Sequence, residues 1–190
     1  MSDLLLWVDV ETTGLNPNEN SLLQVAAIIT DLSGRVVSEP YERVVKQWKP
    51  IAIAQANDYV KDMHTKTGLW DRLESGTIAS VIDQEMLEGI KLFAPEPRSI
   101  RLAGNSVRLD LNFLESALPN TYAHLHYRSI DVSALAYALY SWGIIDAYYS
   151  KKGTHEAMSD IQESIAEYQY LMTAALNFDP LRHLTEGFHV

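Results

Sequence analysis

The chain of 190 residues has no cysteine, which excludes disulfides, thiol nucleophiles and thiolate metal ligands. Positive charge is scarce as well: 15 Lys and Arg face 25 acids, a formal net charge of −10. Proteins that grip long nucleic acid neutralise its phosphates with a basic surface, and this composition offers no such excess. Either nucleic acid is not the partner, or the piece bound is short enough for a few local contacts. No apolar run approaches the ~20 residues of a spanning helix. Met1-Ser2-Asp3 carries no basic leader, so no cleavable signal is expected and the expected compartment is the cytoplasm. Repeats, low-complexity segments and linkers are also lacking. The expectation is one domain over 1–180 with a short tail at 181–190, and a hydrophobic content of 47% is ordinary for a globular core.

What is present centres on Leu4-Leu5-Leu6-Trp7-Val8-Asp9-Val10-Glu11-Thr12-Thr13-Gly14-Leu15. The apolar run at its start reads as a strand buried on both faces. Residues two apart in a strand share a face, so Asp9 and Glu11 project side by side at its end. Two crowded, poorly hydrated carboxylates repel each other. Such a pair suits a hard divalent cation, which prefers oxygen ligands, although Asp-x-Glu at an exposed strand end can simply face water. Gly14 and Asn16-Pro17-Asn18 then turn the chain away.

Further along, a second strand is expected over 22–29, a turn at 31–34, and a polar edge strand over 35–45. Two short helices and a loop are expected within 50–73. A helix over 77–93 carries Ile78, Val81, Ile82, Met86 and Ile90 on one stripe and is ended by Pro95 and Pro97. A fourth strand at 100–103 leads into Gly104-Asn105-Ser106 and a helix that stops at Pro119. A fifth strand is expected over 124–130, a helix over 132–142, a loop at 148–154, and a last helix over about 156–176. Strands followed by alternating helices and strands give an α/β fold, a mixed five-stranded sheet flanked by helices.

Three further polar residues stand at element junctions: Asp110, His155 and Asp160. Each alone is explained blandly, the acids by the dipole at a helix start and the histidine as a surface or capping residue. Together with Asp9-x-Glu11 they form an order that resembles the 3′-to-5′ exonucleases with four metal-holding acids and a histidine base. Within that class the chain is most similar to the oligoribonucleases. The resemblance rests on the Trp7–Leu15 motif, Gly104-Asn105-Ser106, His126-Tyr127-Arg128-Ser129-Ile130-Asp131-Val132-Ser133, and the stretch from His155 to Glu167. The His-Tyr-Arg-x-x-Asp-Val-Ser block is what distinguishes oligoribonucleases from proofreading relatives.

The resemblance implies an RNase H-like fold, a homodimer and cleavage of short single-stranded RNA, especially 5′-phosphorylated dinucleotides. It implies that Asp9, Glu11, Asp110 and Asp160 hold two divalent ions, Mg²⁺ or Mn²⁺, one activating water and one stabilising the leaving 3′ oxygen. His155 would be the general base. Ser106, Arg128 and Ser133 would cap the 5′ phosphate, Leu15 and Tyr59 would wedge and stack the bases, and Tyr127 would contribute across the dimer. The chain departs from the pattern in Glu11-Thr12-Thr13-Gly14, which is closer to the proofreading relatives, and in Leu111-Asn112, where arginines are usual. Tyr59 stands where the family has a tryptophan, and Ala134 where relatives carry a hydroxyl. The rival readings are a proofreading-type exonuclease on single-stranded DNA ends and a silent dinucleotide-binding module. Against the first stands the His-Tyr-Arg block, and against the second the full acid set.

Overall fold

The computed structural model describes residues 4–150 and 156–178. Strand β1 (Leu4–Thr12) lies at the centre of a five-stranded sheet of order β3-β2-β1-β4-β5. It pairs antiparallel with β2 (Leu22–Asp31), which pairs antiparallel with β3 (Tyr41–Val44). On its other side it pairs parallel with β4 (Ile100–Gly104), and β4 in turn with β5 (Ile130–Asp131). The expected mixed sheet with three leading antiparallel strands is therefore present.

Burial of β1 on both faces explains its unbroken apolar run. Leu6, Val8 and Val10 pack toward α4 (Ala79–Lys91), α5 (Arg108–Ala117) and α6 (Pro119–His124). Leu5 and Trp7 pack instead against α7 (Val132–Ser141) and α8 (Ala157–Asn177). Trp7 donates its indole N–H to Thr30 Oγ1 at 2.8 Å and meets Tyr168 edge-on at 5.5 Å. A third, smaller apolar cluster around Leu23 and Trp70 seats α1 (Lys49–Gln55), α2 (Asp58–Lys66) and α3 (Leu69–Arg72) over one end of the sheet.

Several expected boundaries move, each for a local reason. The third strand is regular only over Tyr41–Val44. Before it, Val36 forms a single bridge with Thr30, Ser38 Oγ accepts the Ile29 N–H, and Pro40 has no N–H to give. The segment 50–73 holds three short helices rather than two. Helix α4 ends at Lys91, ahead of both prolines, and Ile78 and Val81 of its expected stripe are exposed. Pro119 does not only stop α5; it is the first residue of α6, where a missing N–H costs nothing. The expected strand over 124–130 shrinks to Ile130–Asp131, because the preceding segment touches β4 only at isolated points: an Ile100–Leu125 bridge and a 2.8 Å bond from His126 N–H to the Ile100 carbonyl. The expected stripe of α8 holds: Ile161, Ile165 and Tyr168 are buried, with Met158 and Met172 packed against the same cluster. The expected tail at 181–190 and most of the loop at 148–154 lie outside the described residues. Among the described residues no helix is long and apolar enough to cross a membrane.

Candidate active site

Strand β1 brings Asp9 and Glu11 to the edge of the core on the face covered by α8, whose first turn carries Asp160. One carboxylate oxygen from each of the three acids lies within 4.8 Å of the others. The pairing of β1 with β2 slips in register between Glu11 and Thr12. Such bulges are common beside active sites, where they end regular pairing and re-aim a side chain. Asp110 arrives from α5 on the opposite face of the sheet, and its Oδ1 accepts the Val10 N–H at 3.2 Å. Asp110, expected among the metal-holding acids, is thus buried against the strand that carries Asp9 and Glu11 rather than facing water at a helix start.

The electrostatics follow from this crowding. Burial, then the charges of Asp9, Asp160 and Asp110, push the Glu11 carboxyl up to about 8. Burial and the Asp9 charge likewise hold Asp110 well above the carboxylate range, with Asp131 adding a smaller push. A cation among these oxygens would offset the repulsion and restore Glu11 and Asp110 to the charged form. An all-oxygen carboxylate set is the donor chemistry that Mg²⁺ and Mn²⁺ take. The residues present therefore fit divalent metal.

Asp9, Glu11 and Asp160 open onto a groove of about 680 Å³ whose other walls include residues 12–15, Asn20, Gln55, Tyr59, Met63 and Leu109, while Asp110 lies behind the strand and does not line it. Leu15 (78% exposed) and Tyr59 (67% exposed) stand on its walls. A polar clasp shapes the turn that presents Leu15: Thr13 N–H bonds the Ser21 carbonyl, and Gln55 Oε1 accepts from Ser21 Oγ at 2.7 Å and Thr13 Oγ1 at 3.3 Å. A Cβ at Gly14 would lie 2.6 Å from Asn20 Oδ1, so a larger residue there would push the Asn20 amide off the Asn16 N–H that it accepts.

Ser106 and Ser133 come together beside β5, their hydroxyl oxygens 3.4 Å apart. Arg128 lies in the exposed loop before β5, not in a strand. Its guanidinium rests 5.2 Å from the centre of the Tyr127 ring, which stacks on His126 at 4.5 Å. These residues do not line the acid groove itself. His155 lies outside the described residues. In the chain it immediately precedes Glu156, the N-cap of α8.

One neighbour of the acids gave no functional signal in the sequence. His64 on α2 is fully buried; its Nε2 lies 3.0 Å from the Thr12 carbonyl and its Nδ1 3.9 Å from Glu11 Oε2. It packs edge-on against Trp70 at 5.1 Å. A lone histidine in a mostly polar helix reads as a surface residue, and only the apolar ring at 70 hinted otherwise.

A mixed sheet with acids gathered at the end of its central strand defines a class, the α/β nucleases of RNase H-like fold. Exonuclease I of E. coli, solved with a 5cy-dT13 oligonucleotide, superposes with a TM-score of 0.66 at 17% identity, covering 98% of this chain and 43% of that one. Another exonuclease I structure gives a TM-score of 0.68 with 97% and 43% covered. The chain thus spans less than half the length of exonuclease I. The family model described as Exonuclease matches residues 6–168. The probable oligoribonuclease of Schizosaccharomyces pombe is 40% identical over 167 residues, covering 87% of this chain and 66% of that protein. The oligoribonuclease of Leifsonia xyli subsp. xyli is 36% identical over 182 residues, 94% of this chain and 87% of its own. That of Francisella tularensis subsp. tularensis is 36% identical over 170 residues, 89% and 94%. The chain belongs to the exonuclease family and, within it, to the oligoribonucleases. It is a nuclease that hydrolyses phosphodiester bonds.

Proposed function

We propose that this protein is a metal-dependent 3′-to-5′ exoribonuclease that finishes short oligoribonucleotides, taking 5′-phosphorylated dinucleotides in particular. The observation that carries the reading is the convergence of acids from β1 and α8 on a groove walled by Leu15 and Tyr59, with Asp110 of α5 bonded to the β1 backbone between Asp9 and Glu11. Asp9, Glu11, Asp110 and Asp160 would hold two divalent cations, Mg²⁺ or Mn²⁺, which supply positive charge for water activation and for the departing 3′ oxygen. His155 takes the proton of the attacking water, a role to which imidazole, with a reference pKa of about 6.5, is suited. Leu15 wedges between the bases and Tyr59 stacks on one of them.

The second half of the reading concerns length. Ser106, Arg128 and Ser133 hold the 5′ phosphate, Arg128 through two parallel N–H donors. A closed site for two nucleotides needs only this local cation and the metals, so a surface charge of −10 is no obstacle. The protein acts as a homodimer in the cytoplasm, Tyr127 reaching the partner's substrate. Exposed Tyr137, Tyr140 and Trp142 on α7 and just beyond it supply an aromatic face of the kind that dimers cover.

The test is digestion of RNAs labelled at the 3′ or the 5′ end, with and without EDTA. The reading expects mononucleotides released from the 3′ end and no turnover in EDTA. Release from the 5′ end, or cleavage that survives chelation, contradicts it. Faster cleavage of single-stranded DNA ends would favour the proofreading-type alternative, and binding without hydrolysis a silent module.

A further inference from the structure

The proposed phosphate cap depends on two serines from separate parts of the chain, and one carboxylate brings them together. Asp131 is the N-cap of α7, and its Oδ1 accepts the Ala134 N–H at 3.2 Å, as N-caps do. The same oxygen also accepts the Ser106 N–H at 3.2 Å, across 25 residues of chain. Helix capping does not need that second bond. Ser106 sits at φ 52, in the left-handed region that residues bearing a Cβ rarely occupy. A backbone so placed persists only where its surroundings hold it. Here the hold is Asp131 on one side and, on the other, Asn105, whose Nδ2 donates to Glu167 Oε2 at 2.8 Å. Glu167 is buried on α8, two turns beyond Asp160 and so on the same face of that helix. The 104–106 turn is therefore braced between the helix that carries Ser133 and the helix that carries a metal-site acid.

We infer that Asp131 is a positioning residue that builds the phosphate cap, joining Ser106 to Ser133 and, through the Asn105–Glu167 brace, setting the distance from cap to acids. It touches neither the reacting atoms nor, in this account, the phosphate. This inference rests on the cap reading above. Its consequence is chemical: with the turn released, Ser106 no longer points where Ser133 points, and the 5′ phosphate loses a donor; the acids keep their places, Asp110 losing only the smaller push of the Asp131 charge. Binding energy from that remote phosphate is what aligns a dinucleotide's scissile bond.

Three variants separate building the cap from capping the helix. Asp131→Asn keeps an oxygen able to accept both N–H groups. Asp131→Ser keeps the helix cap but is too short to reach Ser106 as well. Asp131→Ala loses both. The readout is the ratio of kcat/KM for a dinucleotide with and without its 5′ phosphate, measured beside a seven-nucleotide RNA and the melting temperature. In the wild type the ratio should be at least about tenfold, the worth of one charge-assisted hydrogen bond. It should fall several-fold in Asp131→Ser and Asp131→Ala, which leave Arg128 and Ser133 to hold the phosphate, with the seven-mer rate held, and survive in Asp131→Asn. Should Asp131→Ala not fold, Asp131→Ser alone decides. An unchanged ratio in Asp131→Ser, or an equal loss on both lengths, overturns the role of Asp131. No 5′-phosphate preference in the wild type overturns the cap itself, a distinct result.

Discussion

At the acid end of the site Glu11 and Asp110 are 7% and 6% exposed, packed on a central strand and held far above the usual carboxylate range. At the proposed cap, Ser106 and Arg128 are exposed, on a turn and a loop, and are held by hydrogen bonds and ring contacts rather than by the core. The difference is one of tolerance. Acids built into the core repel each other, so their placement carries a standing cost that only a rigid fold and a bound cation can bear. A cap on the surface carries little cost and can be altered without touching the fold. Chemistry should therefore be hard to modify at the first end, and substrate choice easy at the second.

The largest expected effect lies at the acid end. Asp9→Asn or Asp160→Asn should lower turnover on the order of 10³-fold or more, beyond the loss of a single hydrogen-bond donor to a reacting oxygen. Both should fold as well as the wild type or slightly better without metal, because one of the repelling charges is gone. Near-wild-type turnover in either variant removes that residue from the metal set. Next is His155→Ala, with an expected loss of 10²–10⁴ in kcat and unchanged substrate binding, on the scale of general-base catalysis. The wild-type rate should fall as pH drops below roughly 6.5, when the imidazole protonates. A rate that stays flat from pH 5 to 8 with chemistry limiting would exclude the base.

A third effect is on stability. The Glu11 carboxyl titrates near 4.5 in the unfolded chain and near 8 in the metal-free fold. The fold then binds the extra proton between those values, so stability without metal is highest below about pH 4.5 as far as this group goes, and falls as pH rises through 8. The loss is roughly 3–5 kcal/mol at 1.36 kcal/mol for each unit. That lowers the melting temperature on the order of 10 °C. Melting curves between pH 5 and 8 should show this decline in EDTA, little of it with Mg²⁺, and less of it in Glu11→Gln. A metal-free melting temperature that rises over the same range contradicts the buried, crowded Glu11.

The acid end was also the more legible end. Asp9 and Glu11 could be placed on one face from strand periodicity alone, because β1 is buried on both sides and its apolar run is unambiguous. Asp110 could not, since an acid in a first helical turn looks the same whether it faces water or, as here, the backbone of Val10. At the cap the block from His126 to Ser133 stands out as a motif, but its strand-like pattern does not give its conformation. Local patterns favoured a strand where tertiary packing allows only one bridge at Leu125 and a helix up to His124. The place of His64 and the role of Asp131, a residue the motif does contain, are not legible for a related reason. Each acts through a bond to a residue far away in the chain, Thr12 in one case and Ser106 in the other.

The central claim is that a fixed cap and a fixed set of acids select two-nucleotide RNA between them. It is tested most directly by timed digestion of 5′-phosphorylated, end-labelled RNAs from two to seven nucleotides long, by the wild type and by Arg128→Ala. The wild type should consume the dinucleotide fastest. Arg128→Ala should slow the dinucleotide by roughly 10–100-fold, the scale of a lost hydrogen bond to a charged group, and leave the seven-mer close to its wild-type rate. Equal losses on the two-mer and the seven-mer would contradict the account and leave Arg128 a structural residue.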